Sequence, residues 1–327
     1  MTRNVDLVGE HQFQRRRQLA RDRRLLAPAR GGQGPRLVFS FFLHGLAHTQ
    51  DAPALLSFAD DAPGASLGGA RPKANFTEQD GALWIGKFPA RDDDRDIGAW
   101  EFVVHAMASQ AGIDVPEARL VRLNNEFHTF CVKRFDRVGG KRRFCASAMT
   151  LLRREQNEGT SYLELAQFLR TSGDPQHVEA DLAQLFRRVA FNVAVGNRDD
   201  HLRNHGFLLS ENGWRVAPAF DVNPNIDKSD HVLNIDDQDN RPSLATVAAT
   251  SAFYGLSAAQ ARDIIGKVVA VVDHWQDAAR NAGIYGADID ITSGAFAAHA
   301  GYRAGGRCQV SQRPGQSEVR RPGRRNA

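Results

Sequence analysis

The sequence has few cysteines and no long apolar run, and both absences narrow the class of protein. Its three cysteines, Cys131, Cys145 and Cys308, are an odd number without CxxC spacing. This argues against a disulfide scaffold or a zinc ribbon and favours a reducing compartment. The longest apolar stretch, Leu37 to Ala47, has eleven residues, whereas a membrane-spanning helix needs roughly 20. The sequence therefore predicts a cytoplasmic protein that has no membrane partner.

The chain has no net positive charge outside its two ends. The whole chain carries a net charge of +4, but residues 1–36 and 301–327 carry +6 each, which leaves −8 for residues 37–300. An acidic body is a poor ligand for a phosphate backbone. Nucleic acid is therefore not predicted as the primary ligand.

Composition divides the chain into four segments. Residues 1–59 form an irregular, Arg-rich extension, and residues 291–327 have the Gly, Arg and Pro content of a disordered basic tail. Residues 60–135 are rich in short β-type runs, and residues 136–290 are mainly of helical period. A β-rich segment followed by a helical one predicts an α+β fold with two lobes and a cleft between them.

Individual elements follow from the same patterns. Strands are predicted at 82–88, 120–123 and 129–135. Helices are predicted at 97–111, 162–169, 178–195 and 258–282.

The densest group of polar residues is Asn197-Arg-Asp-Asp-His-Leu-Arg-Asn204. An Asn-Gly pair between two apolar runs then predicts a hairpin over 207–216. The two open ends of a hairpin lie together, so Asp199, His201 and Asn204 before it should meet Asp221 after it. Carboxylate and amide oxygens are suitable Mg²⁺ ligands, and an Asp followed five residues later by an Asn is the spacing of protein-kinase catalytic loops.

Each of these residues also has a simpler interpretation. Asp and Asn are common turn formers and helix caps, and Asp199 or Asp200 alone would fit such a role. Asp199, Asn204 and Asp221 are expected to meet at the open end of the same hairpin, and this favours the functional interpretation for these three residues. Asp200 is predicted to face solvent.

The β-rich segment adds a glycine-rich loop and an isolated lysine. The loop covers 64–73, and its glycines allow backbone amides to approach phosphate oxygens closely. Lys87 lies in an apolar predicted strand, where a lysine needs an anionic partner. Glu101 on the following helix, or a nucleotide phosphate, would provide one; otherwise Lys87 reaches solvent from an edge strand.

Five motifs in this order resemble the HipA family of serine/threonine kinase toxins from bacterial toxin–antitoxin modules. The similarity covers roughly residues 64–275. The motifs are Ser66-Leu-Gly-Gly-Ala-Arg-Pro-Lys73, Trp84-Ile-Gly-Lys-Phe-Pro89, Val132-Lys-Arg-Phe-Asp-Arg137, Asn197-Arg-Asp-Asp-His-Leu-Arg-Asn204 and Ala217-Pro-Ala-Phe-Asp221. The resemblance implies a two-lobed protein-kinase-like fold that binds ATP and Mg²⁺ between a β-rich N-lobe and a mostly helical C-lobe.

The resemblance also implies individual roles. Asp199 matches the catalytic aspartate, Asn204 and Asp221 match the Mg²⁺ ligands, and Lys87 matches the lysine that holds ATP phosphates. His201 matches a position beside the nucleotide, with packing of the loop as the alternative. Further nucleotide-binding positions are Glu101 and the loop residues Gly68, Gly69, Ala70 and Lys73. Ser66 matches an autophosphorylated serine, with a simple turn residue as the alternative.

Family membership further implies a growth-arresting toxin. Its substrate would be a serine or threonine of a translation component such as an aminoacyl-tRNA synthetase. Its partner would be a helix-turn-helix antitoxin, through which operator DNA is reached. Residues 1–60 do not resemble the small β-rich domain that precedes the kinase core in longer members, so the chain resembles either a short form or a frame-disrupted copy.

Three other functions are compatible with the sequence. The first is an inactive relative that binds nucleotide or antitoxin and acts in transcriptional repression. The second is a small-molecule kinase. The third is a metal-dependent hydrolase that uses Asp199, Asp200 and His201, which would require further His or Asp ligands.

Overall fold

The computed structural model of the chain describes residues 71–123 and 126–304. All of these residues belong to one compact unit. The described part combines strands and helices, with a four-stranded sheet first and mostly helices after it. This agrees with the predicted α+β class. No helix in this part of the chain has the length and apolar character of a membrane span.

The first sheet is antiparallel throughout and has the strand order β1-β2-β4-β3. Its strands are β1 (Lys73–Thr77), β2 (Leu83–Lys87), β3 (Ala118–Val121) and β4 (Thr129–Lys133). The three predicted strands are present, and β1 was missed. Since β2 lies between β1 and β4, Lys87 is not on an edge strand.

One helix, α1 (Ile97–Gln110), packs against this sheet. The Asp96 carboxylate caps its first turn by accepting a hydrogen bond from the amide of Ala99. The buried face carries Trp100, Glu101 and Val104 among its members. Glu101 therefore lies on the buried face of α1, a position that the apolar period of the sequence did not include.

Helices build the rest of the described chain around one core. They are α2 (Ala148–Leu151), α3 (Tyr162–Ser172), α4 (Val178–Val195), α5 (Leu244–Ala249), α6 (Ala258–Val272), α7 (Trp275–Asn281), α8 (Ala287–Thr292) and α9 (Ala297–Ala304). The central helix is α4, whose second half is buried on all sides. A helix that is buried all round needs partners on every face, and α3, α5, α6 and α9 supply them.

Short strands connect the sheet to these helices. They are β5 (Arg137–Val138), β6 (Lys141–Arg142), β7 (Cys145–Ser147), β8 (Gly206–Leu209) and β9 (Trp214–Val216). The predicted hairpin is confirmed as β8–β9, which pairs Phe207 with Val216 and Leu209 with Trp214. β7 adds to the outer side of β8 and makes a three-stranded sheet.

Two sequence-based boundaries differ from the structure. The helix predicted at 258–282 is two helices that meet at Asp273 and His274. The change of direction brings the Trp275 ring into the core, where it stacks on Phe296 with ring centres 4.3 Å apart. The tail predicted from residue 291 starts too early, because helical structure continues to Ala304 and buries Phe296 completely.

The polar loop 197–204 begins at a glycine that the fold requires. Gly196 ends α4 with a left-handed backbone, φ +65°, and its amide donates to carbonyls of the last helical turn. A Cβ atom at this position would overlap the carbonyl oxygen of Ala295. Glycine has no Cβ atom, and this allows the chain to leave α4 in the observed direction.

We expect Gly196→Ala to destabilise the protein more than Gly81→Ala. Gly81 also has a positive φ, +80°, but open space surrounds its Cβ position. Both substitutions incur about 1–2 kcal/mol from the left-handed backbone, and Gly196→Ala adds about 1–3 kcal/mol from overpacking. Urea unfolding of the two variants measures the difference, and equal destabilisation would contradict this account of Gly196.

Candidate active site

A cavity of about 580 Å³ lies between the first sheet and the helical part of the chain. Its floor and walls come from β2, α1, β4, the segment after β4, the loop before β8 and the segment after β9. The polar and charged residues that line it are Lys73, Lys87, Glu101, His105, Lys133, Arg134, Asp136, His201, Arg203, Asn204 and Asp221.

Lys87 joins the two halves of this cavity. Its ammonium nitrogen lies 2.5 Å from Oε1 of Glu101 and 2.7 Å from Oδ1 of Asp221. Only 13% of the Lys87 side chain and 6% of the Glu101 side chain are exposed, so this pair lies away from bulk water, whereas 40% of the Asp221 side chain is accessible. The predicted Lys87–Glu101 pair is confirmed, and Asp221 joins it from a position 134 residues further along the chain.

The charges of this group stabilise one another. Burial acts to lower the pKa of Lys87, but the carboxylates of Glu101 and Asp221 outweigh it and raise the pKa above the ordinary value. Burial acts to raise the pKa of Asp221, but the charge and hydrogen bond of Lys87 lower it overall. Lys87 and Asp221 are therefore both ionised at neutral pH.

A second lysine, on the strand next to β2, lines the same cavity. In the β1–β2 pair Lys73 is the partner of Lys87, and like charges that face each other destabilise a strand pair. Burial, followed by the charge of Lys87, lowers the pKa of Lys73. Two lysines in this arrangement favour an anionic ligand in the cavity.

The backbone of Asp221 has a positive φ, which is uncommon for a residue other than glycine. Its φ is +58°, a left-handed conformation that costs a non-glycine residue about 1–2 kcal/mol. The conformation occurs five residues after β9, where the chain turns towards Lys87. Strain of this kind is typical of sites that the surrounding fold holds in place for a ligand.

Asn204 and His201 lie on the opposite wall, in the loop before β8. Asn204 ends a short 3₁₀ turn, Leu202–Asn204, and among the described residues no hydrogen bond involves its side chain. Nδ1 of His201 is buried, and no described residue forms a hydrogen bond with it. The cavity therefore brings Asn204 and His201 to Asp221, as the hairpin argument predicts. Asp199, which the same argument places there, is not among the described residues that line it.

Asp199 occupies the exposed side of the same loop. Its carboxylate contacts the ammonium group of Lys228, and 57% of its side chain is accessible. The backbone of Lys228 is fixed as well, because its carbonyl oxygen accepts a hydrogen bond from the Arg198 side chain. No local pattern in the sequence indicates Lys228, which follows Asp199 by 29 residues in a segment without regular structure.

The prediction that Asp200 faces solvent is wrong. Asp200 is 2% exposed, and its Oδ2 atom accepts hydrogen bonds from the Tyr162 hydroxyl at 2.8 Å and the Asn192 amide at 2.7 Å. Nε2 of His205 lies 2.8 Å from the same oxygen. Burial acts to raise the pKa of Asp200, but His205 and Tyr162 lower it. Asp200 therefore fixes the loop to α3 and α4.

This arrangement separates the three residues of the hydrolase hypothesis. Asp199 faces solvent, Asp200 is buried in a hydrogen-bond network, and His201 faces the cavity. In the described part of the chain, no group of three or more His, Cys, Asp or Glu side chains is placed to hold a metal ion. Both predicted cation ligands, the Asn204 amide and the Asp221 carboxylate, do line the cavity.

The motif at 134–137 has the ion pairs expected of a structural element. Nε and Nη2 of Arg134 each lie 2.8 Å from the Asp136 carboxylate, which also contacts Arg137. Arg134 and Asp136 line the cavity as well, which the sequence did not indicate. Four other predicted positions, Ser66, Gly68, Gly69 and Ala70, lie outside the described residues.

The chain belongs to the family of HipA-like C-terminal domains, whose match covers residues 65–275. Among named relatives, a "Putative kinase" of Haemophilus influenzae is 30% identical over 139 residues, 37% of this chain and 39% of the relative. "Putative kinase Y4dM" of Sinorhizobium fredii is 26% identical over 160 residues, 44% of this chain and 38% of the relative. The matched part therefore spans about two fifths of each relative.

A solved structure has the same fold. It is HipA of Shewanella oneidensis MR-1, in a complex with HipB and operator DNA, and it covers 84% of this chain and 72% of its own. The TM-score is 0.57 and the identity is 16%. The resemblance to HipA inferred from the five motifs is thereby confirmed, and with it a kinase-like fold in which a sheet precedes a helical region.

The two neighbouring aspartates should differ sharply in their effect on stability. Asp200→Ala removes a buried charge and leaves the Tyr162, Asn192 and His205 groups without their acceptor, so we expect a loss of about 3–5 kcal/mol. Asp199→Ala removes an exposed ion pair, which is worth about 1 kcal/mol or less. Urea unfolding gives both values, and a small effect of Asp200→Ala would contradict the role assigned to the buried network.

His231 provides a test of pH dependence. Burial, with the nearby charge of Arg198, lowers its pKa from an ordinary value near 6.5 to about 4, although Asp200 acts in the opposite direction. Between these values the unfolded chain binds the proton and the folded chain does not, so stability should fall by about 3 kcal/mol as pH drops from 6.5 to 4.

His231→Gln should flatten the stability profile in this window. His274 is exposed, so His274→Gln serves as a control that should retain the wild-type slope. Unfolding midpoints in urea, measured at half-unit pH steps, report the slope. An unchanged slope in His231→Gln would assign the dependence to other groups.

Proposed function

We propose that the chain is an ATP- and Mg²⁺-dependent protein kinase that phosphorylates serine or threonine. Membership of the HipA-like family supports a kinase, and the pairing of Lys87 with Glu101 and Asp221 at one cavity is the observation that carries the proposal. Protein kinases use a strand lysine paired with a helix glutamate, together with an aspartate that binds metal.

The residues present fit a nucleotide and a divalent cation. Lys87 is protonated and Asp221 is ionised, because each stabilises the other. Lys73 adds a second positive charge on the same wall. The Asn204 amide is free of hydrogen bonds within the described chain, and together with Asp221 it provides the oxygen donors that Mg²⁺ prefers.

Each residue then has a role in binding or in proton handling. Lys87 and Lys73 would bind phosphate oxygens, and Glu101 would keep Lys87 oriented. Asn204 and Asp221 would hold the cation, which with ATP supplies the γ-phosphoryl group and neutralises charge on it. His201 would border the nucleotide. The Asp199 carboxylate would orient the acceptor hydroxyl and accept its proton.

The exposure of Asp199 supports a protein as the acceptor. More than half of its side chain is accessible, so a serine or threonine on another protein can reach the carboxylate from solvent. A small molecule enclosed in the cavity would have less need of an exposed base. A small-molecule kinase is therefore the less favoured candidate.

The wider role is proposed from the family. We propose a cytoplasmic toxin of a toxin–antitoxin module, with a translation component such as an aminoacyl-tRNA synthetase as its target. A helix-turn-helix antitoxin would be its partner and would supply most contacts to operator DNA. The structure of the Shewanella relative together with HipB and operator DNA supports this assembly. Ser66, with Gly68, Gly69 and Ala70 beside it, is proposed as the autophosphorylated loop.

Phosphate transfer should be visible by intact mass after incubation of the purified chain with ATP and MgCl₂. We expect a gain of one phosphate, mapped to Ser66 by peptide analysis and absent in Ser66→Ala. Asp199→Asn should slow transfer by about 10²–10⁴-fold, because it removes the proton acceptor. Asp221→Asn should slow it similarly and should also weaken Mg²⁺-dependent binding of an ATP analogue.

The control is Asp263→Asn, which changes an exposed aspartate on α6 and should leave the rate unchanged. A folded wild-type chain that binds ATP without transferring phosphate would support the inactive, nucleotide-binding alternative. Release of inorganic phosphate without phosphoprotein would support a hydrolase. Either result would contradict the proposal.

A further inference from the structure

A short hairpin beside the cavity concentrates positive charge within residues 37–300, which are acidic as a whole. We name residues 137–143 the basic hairpin. It consists of β5 and β6 joined by a Gly-Gly turn with both glycines at positive φ. Four of its seven residues are basic: Arg137, Lys141, Arg142 and Arg143.

Most of this charge has no function in the fold. Arg137 binds Asp136, but Lys141, Arg142 and Arg143 are exposed, and no carboxylate of the described residues lies within ion-pair distance of them. Arg142 is also the cross-strand partner of Arg137, and like charges in this position destabilise a hairpin. This cluster of basic side chains destabilises the hairpin, but it is well suited to bind an anion.

The hairpin is fixed at the edge of the cavity. The amide of Arg143 donates to the carbonyl oxygen of Asp136 at 2.9 Å, and the Asp136 carboxylate binds both Arg134 and Arg137. Asp136 is itself part of the cavity wall, as is Cys145 on the other side of the hairpin. The backbone that carries the basic side chains is therefore fixed beside the cavity before any partner arrives.

An exposed aromatic ring adjoins the charges. Phe144 is 64% exposed, and its ring centre lies 5.9 Å from that of Trp214. A partner that contacts the basic hairpin can therefore bury an apolar side chain on Phe144 as well. Aromatic residues and arginine are both enriched in protein interfaces.

We propose that the basic hairpin and Phe144 form a docking surface for an acidic segment of the protein substrate. The inference rests on the proposed kinase function. Charge complementarity identifies the partner, since Arg and Lys bind carboxylates through charge-assisted hydrogen bonds. The net charge of −8 on residues 37–300 repels a long polyanion but tolerates a short acidic segment, which favours a peptide over a nucleic acid.

Binding of two labelled peptides tests the surface without any chemistry. One peptide carries a serine, a leucine and several Asp and Glu residues; the other has Asn and Gln in place of the acids. Fluorescence anisotropy measures Kd in the absence of ATP. We expect the acidic peptide to bind wild-type protein more tightly, with an affinity that falls as salt is added.

Removing positive charge should weaken binding of the acidic peptide only when the charge is removed from the basic hairpin. In the triple variant K141Q/R142Q/R143Q, Kd for the acidic peptide should rise by about tenfold or more. The matched control R262Q/K267Q/R280Q removes the same charge from exposed positions on α6 and α7, and its Kd should change by less than about twofold. Equal weakening in both variants would show a net-charge effect and would overturn the proposal.

Other outcomes are equally decisive. Equal affinity for the two peptides would overturn the proposal, as would displacement of the acidic peptide by a lower concentration of single-stranded RNA. Phosphorylation of the acidic peptide at the same rate by wild type and hairpin variant would also overturn it. Hairpin-dependent binding without phosphorylation would instead support docking and contradict the kinase function, so the two failures are distinguishable.

Discussion

The contacts of one lysine connect the three parts of the chain that form the cavity. Lys87 comes from β2, Glu101 from α1 and Asp221 from the segment after β9. A buried lysine is stable only with anionic partners, and the buried Glu101 carboxylate needs the lysine in the same way. The sheet, the helix and the segment after the hairpin therefore have one favourable mutual arrangement, which is also the arrangement that forms a binding site.

The sequence predicts those features that depend on local patterns. The helical period predicts α1, on which Glu101 lies, and the Asn-Gly pair at 212–213 predicts the hairpin whose ends bring Asn204 near Asp221. Even the contact of Lys87 with Glu101 follows from a short spacing, since only fourteen residues separate them. Local periodicity and turn chemistry were sufficient for these inferences.

Features that depend on distant contacts were missed or mistaken. Asp200 resembles its exposed neighbour in sequence, but Tyr162, which lies 38 residues earlier, makes its burial possible. Lys228 has no pattern that connects it to Asp199. The break at Asp273 likewise has no proline or glycine signal, because the packing of Trp275 on Phe296 determines it. Tertiary packing decides all three, and a single sequence does not display it.

Two features of the cavity are unfavourable for the stability of the fold. Lys73 and Lys87 oppose each other across β1 and β2, and Asp221 has a left-handed backbone. Each feature destabilises the fold by itself. A core designed only for stability would have neither, since apolar residues of similar volume pack there at lower cost. Both features occur at one cavity, and the exposed Asp199, which contacts Lys228, belongs to the loop that forms part of its wall. This combination is expected where the binding of a charged ligand, rather than stability, determines which residues occupy these positions.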